Sequence, residues 1–342
     1  MPPSLGILDQ SPIRSGGTAG QAIAETIELA RLADRLGYRR YWLAEHHSSG
    51  AFAGTAPEIL IGRVAGETRR IRVGSGGVML GNYSPLKVAE CFRVLETLYP
   101  GRIDLGIGRA PGAMPRAARA LQLGEGAPAV DEKLRLLLGF LDDRIGEGHP
   151  SPRVFAAPRG AGAPDPWLLG SGAESAELAG ELGIAFCYAH FIQGDGPEAM
   201  AAYRRSFRPS PQLAAPRAAI GVASYCADTA ERARALALPA ACWAVRLVQG
   251  TGGSFPSPEE VEAQWPTFSV EELALLEARR AQGVAGAPEE VRERLLALAE
   301  GHGADEILVV TITHDFEARK RSYQLLAQVF GLPPDEATRS SA

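Results

Sequence analysis

The segment Tyr41-Trp42-Leu43-Ala44-Glu45-His46-His47 passes directly from an aromatic and apolar run to one acid and two imidazoles. The run is typical of a buried β-strand, and the Ser48-Ser49-Gly50 that follows cannot continue one. Three titratable side chains therefore stand where a core strand ends. In barrels of alternating strands and helices, this end of the strand carries the chemistry, and histidine exchanges protons near neutral pH. We interpret Glu45, His46 and His47 as candidate site residues rather than as residues that only cap the strand.

Similar short apolar runs recur along the chain, and helix-length segments separate them. They show little alternation, as expected for parallel strands that are buried on both faces. The predicted strands are Leu5–Asp9, Arg40–Ala44, Ile71–Ser75, Ile103–Ile107, Trp167–Gly170, Ile184–Cys187, Ala219–Ala223 and Glu306–Thr311. This series of strand–helix units predicts an α/β fold of the (β/α)8, or TIM barrel, type. A doubly wound sheet is the alternative, because the same alternation of elements would serve it.

The segments between the strands carry apolar residues at helical spacing. Residues 29, 32, 33 and 36 form one apolar stripe, and Gly37 is the expected stop of that helix. The same spacing runs through Val88–Leu95, with Pro85 near the helix start. Further helices are predicted at Asp131–Leu141, Val270–Arg280, Glu289–Glu300 and Phe316–Phe330.

Two regions interrupt this rhythm and are predicted to be insertions after strands four and seven, at the mouth of the barrel. The first spans residues 110–166 and includes a Gly/Pro-rich stretch from 146 to 166, and the second spans 247–286. Long loops of this kind are often lids or binding loops. We predict a single domain over residues 1–332 and a mobile tail at 333–342.

The composition is that of an ordinary globular enzyme, with 342 residues, 46% hydrophobic and 22% charged, and a net charge of −5. Because basic residues are not clustered, nothing favours nucleic acid or an anionic membrane as a partner. Neither a signal peptide nor an apolar run of membrane-spanning length is evident, so we predict a cytoplasmic location. The cysteines Cys91, Cys187, Cys226 and Cys242 are far apart and are expected to be free thiols, mostly buried.

Polar and small residues follow seven of the predicted strands, and in a barrel they would converge on one rim. They are Asp9 and Gln10, Glu45 to His47, Ser75 to Gly77, Gly108 and Arg109, Ser171, Gly172 and Ser175, His190, and Thr311, Thr313 and His314. Because adjacent side chains on an extended backbone point to opposite sides, His46 and His47 cannot easily grip one ion. We therefore predict no metal site.

Arg109 and the turn from Ser171 to Ser175 together suggest a site for an anionic group. The turn leads from a strand into a helix through small residues, and this exposes helix N-terminal N–H groups that suit a phosphate. Arg109 adds a fixed cation just past the preceding strand. The nearby Gly106–Gly112 is not a dinucleotide fingerprint, because its third glycine comes one residue too late and Pro111 stands where a helix should open.

Four of these runs together resemble the luciferase-like flavin monooxygenases, a family that includes bacterial luciferase. The runs are Tyr41–His47, Gly74–Glu90, Pro100–Gly112 and Leu168–Ser175. The resemblance implies a (β/α)8 barrel that binds reduced FMN or a deazaflavin at the carboxyl end of its strands. The reactive cysteine of luciferase is matched here by Gly108, and the luciferase active-site loop has no counterpart in residues 247–286. Oxidation of long-chain aldehydes and light emission are therefore not implied.

The resemblance also implies roles for individual residues. Glu45 would lie near the flavin ring, and His46 matches the catalytic imidazole of luciferase. Gly76 and Gly77 fall where the family often has a non-prolyl cis peptide beside the flavin. The phosphate seat is matched by Arg109, Gly172 and Ser175, to which the turn adds Ser171, and His190 falls where the family faces the flavin or the substrate. Asp9, Gln10 and His47 complete the set as predicted substrate contacts, although His47 should face away from His46.

The predicted activity is an FMN-dependent monooxygenation of a small organic substrate with O2. Because no nicotinamide fingerprint is present, a separate reductase is expected to supply the reduced FMN, and the family implies a homodimer. One alternative is a deazaflavin-dependent dehydrogenase or reductase on the same barrel. The other is a flavin-binding protein without turnover, which would have no need of the acid–base group Glu45-His46-His47.

Overall fold

The computed structural model describes residues 2–110, 112, 115–121, 129–145, 153–160 and 162–334. Pro111, part of the predicted Gly/Pro-rich stretch and residues 335–342 of the predicted tail lie outside the described residues. Within them the strands are β1 Ser4–Asp9, β2 Arg40–Leu43, β3 Arg72–Ser75, β4 Val78–Met79, β5 Ile103–Gly108, β6 Asp165–Gly170, β7 Ala185–Tyr188, β8 Ala218–Cys226, β9 Val284–Gly286 and β10 Glu306–Val310.

Helices follow the strands along the chain and cover the sheet. They are α1 Ala19–Leu36, α2 Pro57–Glu67, α3 Pro85–Leu98, α4 Pro115–Leu121, α5 Val130–Leu141, α6 Ala173–Leu182, α7 Pro197–Ser206, α8 Ala230–Val248, α9 Pro258–Gln264, α10 Val270–Gln282, α11 Pro288–His302 and α12 Phe316–Val329. Their ends follow local rules. The first helix begins with a capping box between Thr18 and Gln21 and ends at Gly37 in the left-handed conformation.

Eight of the strands in the described part of the chain close a parallel barrel. Their order is β1, β2, β3, β5, β6, β7, β8 and β10, and β10 pairs with both β1 and β8. The (β/α)8 barrel is therefore confirmed, with each predicted strand present to within a few residues at its ends. The two strands that were not predicted are short additions at the carboxyl edge, where β4 pairs with β5 and β9 pairs with β8.

The two faces of the strands pack into two separate cores. Side chains such as Leu5, Ile7, Tyr41 and Leu43 lie in the layer between the barrel and its helices. Leu8, Trp42 and their counterparts on other strands fill the inside of the barrel. Because both faces are buried, the strands read as continuous apolar runs in the sequence.

The amino-terminal end of the barrel is closed by a buried network of charged residues. Arg40 donates to Asp104 at 2.6 Å and to Glu306 at 2.6 and 2.8 Å, and all three side chains are buried. Residues at this end of such barrels serve stability, so the chemistry belongs at the opposite end. Three of the free thiols, Cys187, Cys226 and Cys242, are buried, and Cys91 is half-buried. Among the described helices, none combines the length and the apolar character needed to cross a lipid bilayer.

Candidate active site

Glu45 is the centre of a hydrogen-bonded group directly after β2. The side chain is fully buried, and its Oε2 accepts a hydrogen bond of 3.0 Å from the backbone N–H of Met79 in β4. Its Oε1 accepts one of 2.8 Å from the Tyr83 hydroxyl and lies 2.6 Å from His47 Nε2. The carboxyl group thus ties the end of β2 to β4 and fixes the ring of His47.

His46 faces a different environment from its neighbour His47. Its ring stacks on Phe52, with 4.2 Å between centroids. Burial, with a smaller contribution from His47, lowers the pKa of His46 to about 4, so its imidazole is neutral at pH 7. Its Nδ1 is buried and has no hydrogen-bond partner within the described part of the chain. The two imidazoles therefore have separate surroundings, as the sequence predicted.

The turn between β3 and β4 brings bare backbone close to this group. The peptide bond between Gly76 and Gly77 is cis, which confirms the cis peptide that the resemblance implied. A Cβ atom on Gly77 would lie 2.9 Å from both Gly106 O and Gly108 N, so no larger residue fits there without a shift of the backbone. Gly76 and Gly77, called the glycine edge below, leave the edge of the barrel flat between Glu45 and the strand ends of β3 and β5.

The predicted anion seat is assembled at the ends of β5 and β6. Arg109 Nη1 donates to Ser175 Oγ at 3.1 Å, and Ser175 lies in the first turn of α6. Gly172 is the N-cap of α6 and offers no side chain to cap it, so the first N–H groups of that helix remain available to a ligand. Carboxylates also hold Arg109. Asp131 lies 3.1 Å from its Nε, and the exposed Glu174 lies 3.7 Å from its Nη1.

A cavity of about 560 Å³ opens on the other side of His46 and His47. Its lining includes Gln10 and Ile312 after strands of the barrel, aromatic residues from several loops, and small residues of α8. Phe52, Trp243 and Phe255 contact one another there, with ring centroids 4.9 to 5.5 Å apart. The volume falls in the range of small-molecule sites, roughly 300–1,000 Å³.

Two of the predicted site residues point away from this cavity. Asp9 is fully buried, where its Oδ1 accepts hydrogen bonds from Arg319 at 2.7 Å and from the Ser11 N–H at 2.8 Å. Burial alone would raise the pKa of Asp9, but Arg319 and the hydrogen bonds lower it. His190 packs instead against His302, with 5.6 Å between ring centroids, and burial lowers its pKa. The structure gives no support for Asp9 as a substrate contact or for His190 as a cofactor contact.

Several residues of the site were missed from the sequence. Tyr83 lies inside the run Gly74–Glu90 but stands in a loop, where no pattern marks it. Phe52 is distant in sequence from Trp243 and Phe255, and the three rings meet only in the folded chain. The signal that was available for Trp243 is its place on α8 directly before the second predicted insertion.

The chain as a whole has counterparts among known proteins. The chain belongs to the luciferase-like monooxygenase family, whose sequence pattern matches residues 4–306. It is therefore an oxidoreductase that incorporates molecular oxygen.

Individual relatives match over nearly their whole length. The chain is 47% identical to the uncharacterized protein YwcH of Bacillus subtilis over 96% of this chain and 99% of that protein. It is 37% identical to the N-acetyl-S-alkylcysteine monooxygenase of Bacillus subtilis over 94% of this chain and 97% of that protein. The crystal structure of apo-MsnO8 is 41% identical, with a TM-score of 0.88 and coverage of 97% of this chain and 98% of the other.

More distant structures share the fold alone. One is the oxygenating constituent of 3,6-diketocamphane monooxygenase from Pseudomonas putida in complex with FMN, at 20% identity and a TM-score of 0.69 over 98% of this chain and all of the other. Another is an F420-dependent secondary alcohol dehydrogenase, at 15% identity and a TM-score of 0.64 over 96% and 99%.

Proposed function

We propose that this protein is a monooxygenase that uses reduced FMN and O2 to oxygenate a small, largely apolar organic substrate. The observation that carries this proposal is the junction at Glu45-His46-His47. On one side of it lie the glycine edge and the anion seat, and on the other lies the apolar cavity. A cofactor and a substrate could therefore meet at this acid–base group.

The residues present fit FMN. Arg109, Ser171, Gly172, Ser175 and the α6 N-terminus would hold the phosphate by charge-assisted hydrogen bonds. Gly76 and Gly77 would let the flat ring approach the barrel edge beside Glu45. Bound reduced FMN would supply the reaction with O2. The protein would hold the cofactor in position and exclude water from it.

The chain's own residues have distinct parts in this proposal. Because the pKa of His46 is about 4, its ring is neutral at pH 7 and can accept a hydrogen bond from the substrate inside the cavity. Glu45, held by Met79 and Tyr83, keeps His47 in one orientation at the boundary. Phe52, Trp243 and Phe255 exclude water from the substrate side. Gln10 remains a proposed substrate contact because it lines the cavity.

A deazaflavin-dependent dehydrogenase is the second candidate, because the same barrel holds F420-type chemistry in a distant structural neighbour. Isothermal titration with FMN, riboflavin and a deazaflavin cofactor separates the candidates. We expect FMN to bind tightest. Incorporation of one ¹⁸O atom from ¹⁸O2 would then establish oxygenation. An N-acetyl-S-alkylcysteine, the compound in one relative's name, is the first trial substrate.

The anion seat is tested with two variants, one expected to weaken FMN binding and one expected to strengthen it. Arg109→Gln should weaken FMN binding about 10- to 100-fold, because it removes a charge-assisted hydrogen bond worth roughly 1.5–3 kcal/mol, and should leave riboflavin binding nearly unchanged. Glu174→Gln should strengthen FMN binding slightly, about twofold, because an exposed carboxylate no longer competes for Arg109. Arg63→Gln, on the exposed face of α2, is the matched control. Equal losses of FMN and riboflavin in Arg109→Gln would reject the phosphate role.

The source of reduced FMN can be tested with the purified protein. We expect no turnover with NADH and oxidised FMN alone, and turnover once a separate flavin reductase is added. Turnover with NADH alone would show that the protein reduces its own cofactor. The homodimer and the cytoplasmic location stay predictions.

A further inference from the structure

The lining of the cavity beside His46 is asymmetric in charge. Besides His46 and His47, the ionisable lysine, arginine, aspartate or glutamate side chains that line its described part are Arg279 and Arg280, both on α10. None of the described lining residues is an aspartate or a glutamate. The cavity is therefore apolar along its walls and cationic where α10 borders it.

The two arginines differ in what they contact. Arg280 Nη1 lies 2.6 Å from Glu277 Oε1, one turn earlier on the same helix, and this ion pair neutralises it. Arg279 Nη1 contacts neutral oxygens, the Ile192 carbonyl at 3.1 Å and Gln282 Oε1 at 3.3 Å. In the described part of the chain no carboxylate forms an ion pair with Arg279. Its charge is thus available to an anionic group that enters the cavity.

The walls favour a flat apolar body. Trp243 packs edge-on against Phe52 and tilted against Phe255, and the ring of His46 stacks on Phe52. Small side chains of α8, including Ala240 and Ala244, leave the space in front of these rings open. A substrate with aromatic or compact hydrocarbon parts would bury them beside His46.

We propose that the substrate is an organic anion, with an apolar body held by the aromatic wall and a carboxylate or sulfonate group held by Arg279. Arg279 is then the residue that selects anionic over neutral substrates. This inference rests on the proposed monooxygenase function, since it names the substrate class of the same cavity.

The test uses two fluorescent probes with the same aromatic body and does not depend on turnover. The anionic probe is 8-anilinonaphthalene-1-sulfonate, and the neutral probe is N-phenyl-1-naphthylamine, and both brighten in apolar sites. We expect Arg279→Gln to weaken binding of the anionic probe about threefold to tenfold, as for a partly exposed ion pair, with the neutral probe changed by less than twofold. Arg280→Gln is the matched control and should change the ratio of the two affinities by less than twofold, because Glu277 already pairs with Arg280.

A third variant tests whether the probes bind in this cavity. Ala244→Phe partly fills the cavity and should weaken both probes alike, and binding that it leaves unchanged would overturn the inference. Equal changes of both probes in Arg279→Gln, or an equal effect of Arg280→Gln on the anionic probe, would also overturn it. Raised salt should weaken only the anionic probe. Because these measurements need no flavin, their failure is distinct from a failure of FMN binding or of oxygenation, which would count against the proposed function itself.

Discussion

Acid should destabilise the folded protein through His46, and removal of that ring should abolish this part of the pH dependence. Burial lowers the pKa of His46 from 6.5 to about 4. The unfolded chain therefore binds a proton at this residue as the pH falls through about 6.5, whereas the folded chain resists until about pH 4. The contribution of His46 to the free energy of unfolding is fully present above about pH 6.5, declines between about pH 6.5 and 4, and changes no further below that range.

The size of the effect follows from the shift. At pH 5 an unfolded histidine is almost fully protonated and a folded one with a pKa near 4 is mostly neutral, which corresponds to a cost of about 2 kcal/mol relative to pH 7. Because His46 is only partly buried, this figure is an upper value. In His46→Gln the side chain cannot titrate, so the free energy of unfolding should fall less between pH 7 and pH 5 than in the wild type.

Urea unfolding of wild type and His46→Gln at pH 7, 6 and 5 measures the difference directly. His314→Gln controls for the loss of one imidazole outside the cavity lining. The reasoning is refuted if the wild type and His46→Gln lose the same stability between pH 7 and pH 5. In that case burial does not lower the pKa of His46, and the folded protein would protonate this ring over the same pH range as the unfolded chain.

Two further predictions concern residues around the site. Asp9→Asn should destabilise the protein by roughly 3–5 kcal/mol in urea unfolding, because it leaves the Arg319 guanidinium buried without its charge partner; a stable variant with altered substrate affinity would restore the substrate role. Gly77→Ala should cost about 1–3 kcal/mol, because its Cβ would meet backbone atoms at 2.9 Å. Gly301→Ala, on α11 with open space around it, should be neutral or stabilising, and similar losses in both variants would contradict the steric argument.

The barrel could be predicted from the sequence because its strands are buried on both faces and therefore appear as uninterrupted apolar runs. The same property hid which residues face inward. In β1 Leu8 lies inside the barrel and Ile7 lies outside it, yet both are apolar, so the run carries no sign of the difference. The short strands β4 and β9 escaped prediction because two or three residues carry no periodicity and exist only through pairing with β5 and β8.

The alternation of side chains along a strand explains which of the predicted site residues line the cavity and which do not. Successive side chains of a strand point to opposite faces. Leu8 points into the barrel, so Gln10 lines the cavity and Asp9 points outward to Arg319. On β7 Cys187 is inside and Tyr188 outside, so His190 falls on the outer side with His302. A position just after a strand thus predicts the correct end of the barrel. Whether the side chain faces the inside or the outside of the barrel depends on whether it is an odd or an even number of residues from an inward-facing strand residue.

The same alternation of side chains gives the residues of Tyr41–His47 two different surroundings. Trp42 and Ala44 lie inside the barrel, and His46 continues on that side to stack on Phe52 in the cavity. Tyr41 and Leu43 lie outside, and Glu45 and His47 continue on that side, where Tyr83 joins them. His46 thereby faces the cavity with Phe52, and His47 also lines the cavity, where Glu45 holds its ring. The strand register alone therefore places a neutral imidazole against the proposed substrate and an acid–imidazole pair at the edge where the proposed cofactor would lie. A one-residue shift in this strand would exchange the two roles.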